Sequence, residues 1–439
     1  MSSLTDRLRG IVRPAGHGGS KEQDPPYAVR EQAYDAHEHD PPCGSEIDEA
    51  QQQRRPGPMD PAEILEGEWR QTGTHRFLVV ERSYAPGHRH GSISIADSLP
   101  PDEGWSRLAL LAGRSCGGRL LFVDLETTGI AGGAGSYAFL VGCAWFDRGR
   151  FHVRQFLLSS FASERALLEA VREVASDVDA VVTYNGKSFD LPLIETRYAL
   201  NRLSTPFAEM PHVDMLHHAR RLWHGHDEGH RLSHLESSLL GHEREGDVPG
   251  FEIPSRYFHF VRTGDARPLD AVLEHNRRDL LSLALLTARA AQLLDDGVTA
   301  ANSAREALGI GRLYERSGMT ADALACYARA ADMGPGVCAE ALYAHALLLR
   351  RIRHYAAAAD VWQRLLGLSD CPPRLEREAA QALAVHHEHR LRSLLSARTL
   401  AMRSLQFDAT VARREAIEHR LARLDRKLAR VEPVLRPLF

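Results

Sequence analysis

The stretch "LFVDLETTG", residues 121–129, places two carboxylates directly after a short apolar run and ahead of two threonines and a glycine. Such a run is typical of a strand that is buried on both faces. Because side chains alternate along a strand, we expect Asp124 and Glu126 on the same face at its end. Two carboxylates that close repel each other unless a cation lies between them. The stretch predicts either a polar strand end facing solvent or half of a site for a hard divalent cation.

Strand and helix patterns alternate on the carboxyl side of this stretch. Two strand patterns, a helix, a strand and a helix follow in the order "YAFLVGCAWFD" (137–147), "FHVRQFLL" (151–158), "SERALLEAVREVASD" (163–177), "AVVTYNG" (180–186) and "DLPLIETRYALNRL" (190–203). Three strands in succession, then helix, strand and helix, predict an α/β domain with a mixed sheet flanked by helices. We assign this domain to residues 118–296.

Two further aspartates lie within these patterns. Asp190 follows a strand and opens a helix, so its side chain either caps that helix or binds a ligand. Asp279 interrupts the apolar stripe of a long predicted helix. A buried carboxylate there requires a positive partner or a metal ion. His275 lies one turn earlier and is either that partner or a group that titrates near neutrality at a reaction centre.

The order of these motifs is more informative than any one of them. "DLETTG" on a strand, "YNGKSFD" at a strand–helix junction and "HNRRD" on a helix resemble the DEDD exonucleases of the ribonuclease H-like superfamily. They are most similar to those of YprB-like proteins, which join such a domain to C-terminal tetratricopeptide (TPR) repeats. The resemblance covers roughly residues 60–400. It implies a ribonuclease H-like fold and metal-dependent hydrolysis of phosphodiester bonds.

The resemblance also implies roles for individual residues. Two Mg²⁺ or Mn²⁺ ions would be held by Asp124, Glu126, Asp190 and Asp279. The resemblance implies that the protein is a 3′–5′ exonuclease that acts on single-stranded ends of DNA or RNA. His275 would activate the attacking water. The sequence departs from the best-known branches here, because they carry a tyrosine four positions before the last aspartate or a histidine five before it. A catalytically weak nucleic-acid-binding protein or a TPR scaffold that keeps the nuclease fold is the alternative.

Polar residues near the same strand ends are candidates for substrate binding. Thr127, Asn185 and Lys187 are placed to contact a nucleic-acid backbone, although Lys187 has an equal alternative as a solvated turn residue. Asp214 lies at another strand–helix junction, where a helix cap is the better interpretation and a metal ligand the other.

A histidine-rich segment offers a rival metal site. Residues 216–236, "LHHARRLWHGHDEGHRLSHLE", contain His217, His218, His224, His226, His230 and His234. His230 and His234 are four positions apart and would share a helix face, as zinc ligands often do. The alternative is a histidine-rich surface turn.

Residues 301–439 show helical periodicity with almost no strand pattern. Leucine, alanine and aromatic positions recur 35 residues apart, as in the pairs Leu313 and Leu348, Ala323 and Ala358, and Tyr327 and Trp362. This repeat predicts TPR-like helix pairs, which offer a surface for a protein partner. The region carries 22 basic against 15 acidic residues, whereas the whole chain has a net charge of −4. It is therefore the better partner for a polyanion, unless its arginines only solvate helix faces.

The remaining sequence sets limits on the protein's class. Residues 1–58 are poor in apolar residues and predict a disordered leader. Residues 59–117 predict an extension that packs on the nuclease domain, with a helix in "PAEILEGEWR" (61–70) and a strand in "HRFLVVERSY" (75–84). The 439 residues contain no apolar run long enough for a membrane span and six scattered cysteines without a CxxC pair. A cytoplasmic protein is expected.

Overall fold

The computed structural model describes residues 59–101, 104–129, 135–223, 230–407 and 410–431. The predicted leader at 1–58 lies outside these ranges. In the described residues the strands, in chain order, are β1 (Glu68–Thr72), β2 (His75–Tyr84), β3 (Arg89–His90), β4 (Ile93–Ser94), β5 (Leu120–Thr127), β6 (Ala138–Asp147), β7 (Arg150–Leu157), β8 (Ala180–Thr183) and β9 (His212–Asp214).

Helices of the first part of the chain flank these strands. They are α1 (Pro61–Ile64), α2 (Ala109–Ala112), α3 (Glu164–Ala175), α4 (Asp190–Leu200), α5 (Met215–Leu222), α6 (Leu232–Leu235), α7 (Ile253–Thr263) and α8 (Arg267–Asp296). A π-helical turn, Glu236–Leu240, directly follows α6. The rest of the described chain is helical, with α9 (Ala304–Arg316), α10 (Thr320–Asp332), α11 (Cys338–Arg351), α12 (Tyr355–Leu366), α13 (Pro373–His386), α14 (Leu394–Leu405) and α15 (Val411–Val431).

Seven strands form one mixed sheet in the order β1-β2-β7-β6-β5-β8-β9. β8 lies parallel to β5 and to β9, and the other neighbouring strands are antiparallel. This arrangement confirms the predicted α/β fold with a mixed sheet. The stretch 59–117 contributes β1 and β2 to one edge of the sheet.

The predicted helix at 61–70 is wrong in its second half. Asp60 accepts a hydrogen bond from the Ala62 amide at 2.9 Å and so caps a single turn, α1. At Gly67 a β-carbon would lie 2.8 Å from the Val79 carbonyl oxygen, so the backbone approaches β2 too closely for any side chain. The chain therefore leaves the helix and continues as the edge strand β1.

Strand β5 is buried on both faces, as its apolar sequence predicts. Leu120 and Phe122 pack into one hydrophobic core, whereas Leu121 and Val123 pack into a second core on the other face. Asp124 continues the alternation of Phe122, so its side chain belongs to the face of the first core.

Helix α8 connects the two cores. Its early residues, such as Leu273, pack in the second core, and its later residues, from Leu280 onward, pack in the first. The polar residues 274–279 therefore lie where the helix passes from one core to the other. The Asn276 amide group reaches β5 at this point and donates to Asp124 Oδ2 at 2.8 Å.

The helical region shares the first core. This core runs without a break from Phe122 and the end of α8 to apolar residues of α9 through α13. Polar contacts reinforce the junction, because Tyr314 donates its hydroxyl proton to the Leu294 carbonyl at 2.6 Å and the Trp223 indole donates to Glu306 at 3.0 Å. Residues 301–407 and 410–431 contain no strand. Among the described residues, no helix combines the length and apolar character needed to cross a membrane.

Candidate active site

Four carboxyl groups come together where β5 ends. Asp124 and Glu126 lie on β5, Asp190 is the first residue of α4, and Asp279 lies in the middle of α8. Because β5 and β8 are neighbouring parallel strands, their carboxyl ends lie at the same end of the sheet. The loop after β8 brings Asp190 to this end. All four keep part of their surface exposed to solvent.

Burial and mutual repulsion raise the pKa of these carboxyl groups. Burial raises the pKa of Asp124 and of Glu126 well above the usual range, and the charges of Asp279 and Asp190 raise both further. Burial also raises the pKa of Asp190, to about 7, although the Asp190 and Leu125 amides oppose the shift. Such shifts mark groups that repel one another when ionised.

Asn276 holds Asp124 in place. It donates to Asp124 Oδ2 at 2.8 Å and to the Asp124 carbonyl at 3.2 Å, and its own oxygen accepts from Gln155 Nε2 at 2.8 Å. Both Asn276 and Gln155 are fully buried. Gly142, which pairs with Asp124 across β5 and β6, makes room for this amide. A β-carbon at Gly142 would lie 2.3 Å from Asn276 Oδ1.

Arg244, in the loop before α7, connects three carboxylates. It donates from Nε and Nη2 to the two oxygens of Glu236 at 2.5 Å each, and from Nη1 to Asp247 at 2.9 Å. Its Nη2 also donates to Asp279 Oδ1. The Arg244 side chain is 10% exposed and that of Glu236 is 0% exposed. Arg244 and Glu236 therefore form a buried, bidentate ion pair, and the same guanidinium also contacts Asp279 of the candidate site.

His275 is oriented by Asp247. The distance from its Nδ1 to Asp247 Oδ1 is 2.7 Å, whereas that to Arg244 Nη1 is 3.5 Å. Nδ1 cannot both donate to Asp247 and accept from Arg244, and the shorter contact indicates that Nδ1 carries the proton and donates it to Asp247. In the neutral ring Nε2 is then an acceptor, 3.8 Å from Asp279 Oδ2.

The donor set fits a hard divalent cation. Six carboxyl groups, those of Asp124, Glu126, Asp190, Glu236, Asp247 and Asp279, have one ion-pairing arginine among them within the described residues. Oxygen donors in excess of positive charge are what Mg²⁺ and Mn²⁺ require. In the described ranges, no three His, Cys, Asp or Glu side chains already form a metal-binding group. Asp279 is instead paired with Arg244.

The predicted substrate contacts are only partly brought to this place. Asn185 has φ of +67°, and its amide and that of Lys187 donate to the two oxygens of Asp214 at 2.8 and 3.1 Å. Asp214 also accepts from the Leu216 amide at 3.1 Å, so it is a helix cap that organises the loop before Asp190. The Lys187 side chain is exposed.

Thr127 has a local role in the structure. Its hydroxyl donates to the Gly129 carbonyl at 3.0 Å, where β5 ends. A register shift between Glu126 and Thr127 interrupts the pairing of β5 with β6 at the same point. Thr127 therefore shapes the strand end beside the two carboxylates.

The histidine-rich segment does not supply the predicted helix face. His224 and His226 lie outside the described residues, and His230 precedes α6 by two positions, so the spacing of four from His234 does not fall on one helix. His218 Nε2 contacts the Leu111 carbonyl at 2.9 Å, and burial lowers its pKa to about 3. This histidine is a buried structural residue.

Sequence reasoning missed the residues that surround the four acids. Asn276 stands inside the "HNRRD" motif, and Gln155 is a polar residue within an apolar strand, so both carried a weak signal. Arg244 and Asp247 come from a loop, where no periodicity marks a contact with a distant helix. Glu236 lies in a short π-helical turn, a feature often found at functional sites.

A family model and a relative of similar length match this chain. Residues 121–291 match the RNase_H_2 family of the RNase_H superfamily. "Uncharacterized protein YprB" of Bacillus subtilis (strain 168) is 31% identical over 400 residues, which cover 87% of this chain and 96% of YprB. The family B DNA polymerase of the archaeon Pyrobaculum calidifontis is similar over 45% of this chain at 15% identity, with a TM-score of 0.32. This chain spans 29% of that polymerase chain.

Proposed function

The chain belongs to the YprB family and contains a ribonuclease H superfamily domain, and on this basis we propose that it is a metal-dependent nuclease. One observation carries the proposal. Four carboxyl groups from β5, α4 and α8 converge where β5 ends, and there burial and the neighbouring carboxylates raise the pKa of Asp124, Glu126 and Asp190. No ion pair to Asp124, Glu126 or Asp190 occurs among the described residues, so their charges remain for a cation.

Asp124, Glu126, Asp190 and Asp279 are the proposed metal ligands. Two divalent cations bound there would supply an activated water and would stabilise the oxygen that leaves the phosphodiester. Asn276 keeps the Asp124 carboxyl group in one orientation, and Thr127 with the register shift ends β5 directly beyond Glu126. The protein therefore orients Asp124 and positions Glu126 before substrate binds.

His275 is the proposed general base. Its Nδ1–H donates to Asp247, which leaves Nε2 to accept a proton from a water molecule beside Asp279. A carboxylate that fixes the tautomer in this way also stabilises the imidazolium ion that forms after proton transfer. Hydrogen bonds from Arg244 and His275 keep the pKa of Asp247 below its usual range despite the effect of burial. Asp247 is thus a positioning residue for His275.

Single-stranded nucleic acid, DNA or RNA, is the proposed substrate, and 3′–5′ exonuclease activity is the proposed mode. The exposed Lys187 and the loop around Asn185 stand three to five residues before Asp190, where they can contact a phosphate backbone. The basic helical region is a proposed second contact for nucleic acid or for a protein partner. TPR-like pairing of its helices remains part of this proposal.

A nuclease assay tests the proposal. Single-stranded DNA and RNA labelled at either end are incubated with the protein and Mg²⁺, Mn²⁺ or EDTA. We expect the 3′ end to be shortened first and EDTA to stop the reaction. Asp124→Asn should lower the rate by at least about 100-fold, because a ligand is lost.

The matched control is Asp147→Asn, which changes an exposed aspartate at the far end of β6 and should leave the rate unchanged. Cleavage that persists in EDTA or in Asp124→Asn would refute the metal-dependent mechanism. Absence of cleavage under every condition, together with tight binding of nucleic acid, would support a binding protein that keeps the nuclease fold.

A further inference from the structure

Arg244 is unusual because it brings a permanent positive charge to the carboxylates that are proposed to bind metal. Its Nη2 donates to both Glu236 and Asp279. Nε donates to Glu236, and Nη1 donates to Asp247. Two carboxylates outside the proposed ligand set, those of Glu236 and Asp247, therefore hold the guanidinium. The contact to Asp279 can break while the bonds to Glu236 and Asp247 remain.

A guanidinium and a divalent cation compete for the same carboxylate. Asp279 Oδ1 accepts a hydrogen bond from Arg244. As long as this contact persists, the oxygen lone pair that it uses is not available to coordinate a metal ion. The positive charge of Arg244 also repels an approaching cation. The side chain is 10% exposed, so this repulsion is screened less than it would be at the surface.

Resting on the proposed function, we propose that Arg244 is a built-in counter-charge that occupies Asp279 and lowers its affinity for a divalent cation. A divalent cation that uses Asp279 as a ligand can then bind only when Arg244 has left this carboxylate. Glu236 and Asp247 retain the guanidinium after it has left, so that the change is reversible. The protein would thus hold its complete metal set only at a higher free metal concentration.

The opposite role for Arg244, in which it helps Asp279 to bind a metal ion, also predicts a measurable change in metal affinity. If Arg244 instead held Asp279 in the orientation that a metal requires, its loss would weaken metal binding. The two roles therefore predict changes of opposite sign in one measurement. No substrate is needed for that measurement.

The experiment is a titration of the full chain with Mn²⁺, in which electron paramagnetic resonance detects the free ion. The variant is Arg244→Gln, which removes the charge and keeps much of the side-chain volume. The matched control is Arg278→Gln, because Arg278 lies beside Asp279 on α8 but is paired with Glu274 at 2.8 Å. Arg244→Lys keeps the charge without the fork.

We expect Arg244→Gln to bind Mn²⁺ about tenfold more tightly than the unaltered protein, as removal of a nearby, partly screened charge would produce. Arg278→Gln should change that affinity less than about twofold, because the Arg278 side chain is more exposed than that of Arg244, at 24% against 10%, and is paired with Glu274 rather than with Asp279. Arg244→Lys should lie near the unaltered protein. Equal or weaker binding by Arg244→Gln would overturn the inference while leaving the metal site in place.

Two outcomes separate this inference from the proposed function. If neither the unaltered protein nor any variant binds Mn²⁺, the metal site and the inference fall together. Loss of Arg244 could also unfold the protein, because Glu236 is fully buried and would lose its partner. The double variant Arg244→Gln with Glu236→Gln leaves the net charge unchanged but frees Asp279, so it should still bind Mn²⁺ more tightly than the unaltered protein. Weaker binding by this folded double variant would likewise overturn the inference.

Discussion

Replacement of Gly142 by alanine tests whether the amide of Asn276 is as tightly enclosed as the structure shows. The new β-carbon would lie 2.3 Å from Asn276 Oδ1, 2.8 Å from Nδ2 and 2.8 Å from Leu280 Cδ1. Asn276 can only move away by giving up its bonds to Asp124 and Gln155. The substitution therefore combines a steric clash with the loss of buried hydrogen bonds.

The magnitude follows from these two contributions. Forcing extra atoms into a packed interior costs about 1–3 kcal/mol. Leaving buried polar partners unsatisfied adds roughly 1–3 kcal/mol. Gly142→Ala should therefore lower the free energy of unfolding by about 2–6 kcal/mol. It should also lower nuclease activity, because Asp124 loses the group that orients it.

Urea unfolding followed by circular dichroism, in EDTA, measures this loss. The control is Gly118→Ala, at the start of β5, where the nearest neighbour is Gly104 Cα at an ordinary 3.7 Å. In the double variant with Asn276→Ala most of the clashing atoms are absent, so the two losses should fall short of additive by about 2 kcal/mol. A Gly142→Ala protein as stable as the Gly118→Ala control, or strictly additive losses, would refute this account of the packing.

Three further predictions concern single charged residues. In metal-free protein the pKa of Asp190 is raised from 3.8 to about 7. The stability that this group contributes is therefore complete below pH 3.8 and is lost as the pH rises through 7. Urea unfolding at a series of pH values should show this fall in stability, and Asp190→Asn should flatten it. Arg197→Met breaks a buried bidentate pair with Glu164, at 2.5 and 2.6 Å, and should cost about 3–5 kcal/mol, whereas Arg165→Met at an exposed pair should cost less than about 1 kcal/mol; equal losses would contradict this. Lys187→Ala should weaken binding of single-stranded nucleic acid in fluorescence anisotropy and reduce its salt dependence by about one ion, with Mn²⁺ binding unchanged; an unaltered salt dependence would exclude a phosphate contact.

The sequence predicted the elements with strong periodicity well. The pattern "HRFLVVERSY" coincides with β2 over His75–Tyr84, and β5 to β8 lie where apolar runs placed them. These runs are reliable because a strand buried on both faces has few alternatives. β1 was missed because its residues are nearly all exposed, so nothing in "EWRQT" alternates. An edge strand of this kind is defined by its neighbour rather than by its own sequence.

Some residues of the candidate site are likewise indicated by the sequence pattern, and others are visible only in the structure. The four acids could be placed from the sequence because each follows a strand or breaks an apolar helix stripe. Arg244 and Asp247 could not, since a loop contact to α8 across 35 and 28 residues leaves no local pattern. Gly142 needed the register of β5 with β6 before its small size had a meaning. Long-range packing, and not local preference, selects these residues.

The hydrophobic core shared by β5, α8 and the helical region makes the chain a poor candidate for gene fission. A break in residues 297–303 would leave the apolar surface of Leu285 and Leu293 without Leu308 and Leu313, which belong to the same core. Both products would expose adhesive surface and would be cleared by proteases or chaperones in a cell. Changes in length are therefore expected at the far end of the helical region, whereas its first helix pair stays joined to the ribonuclease H-like domain.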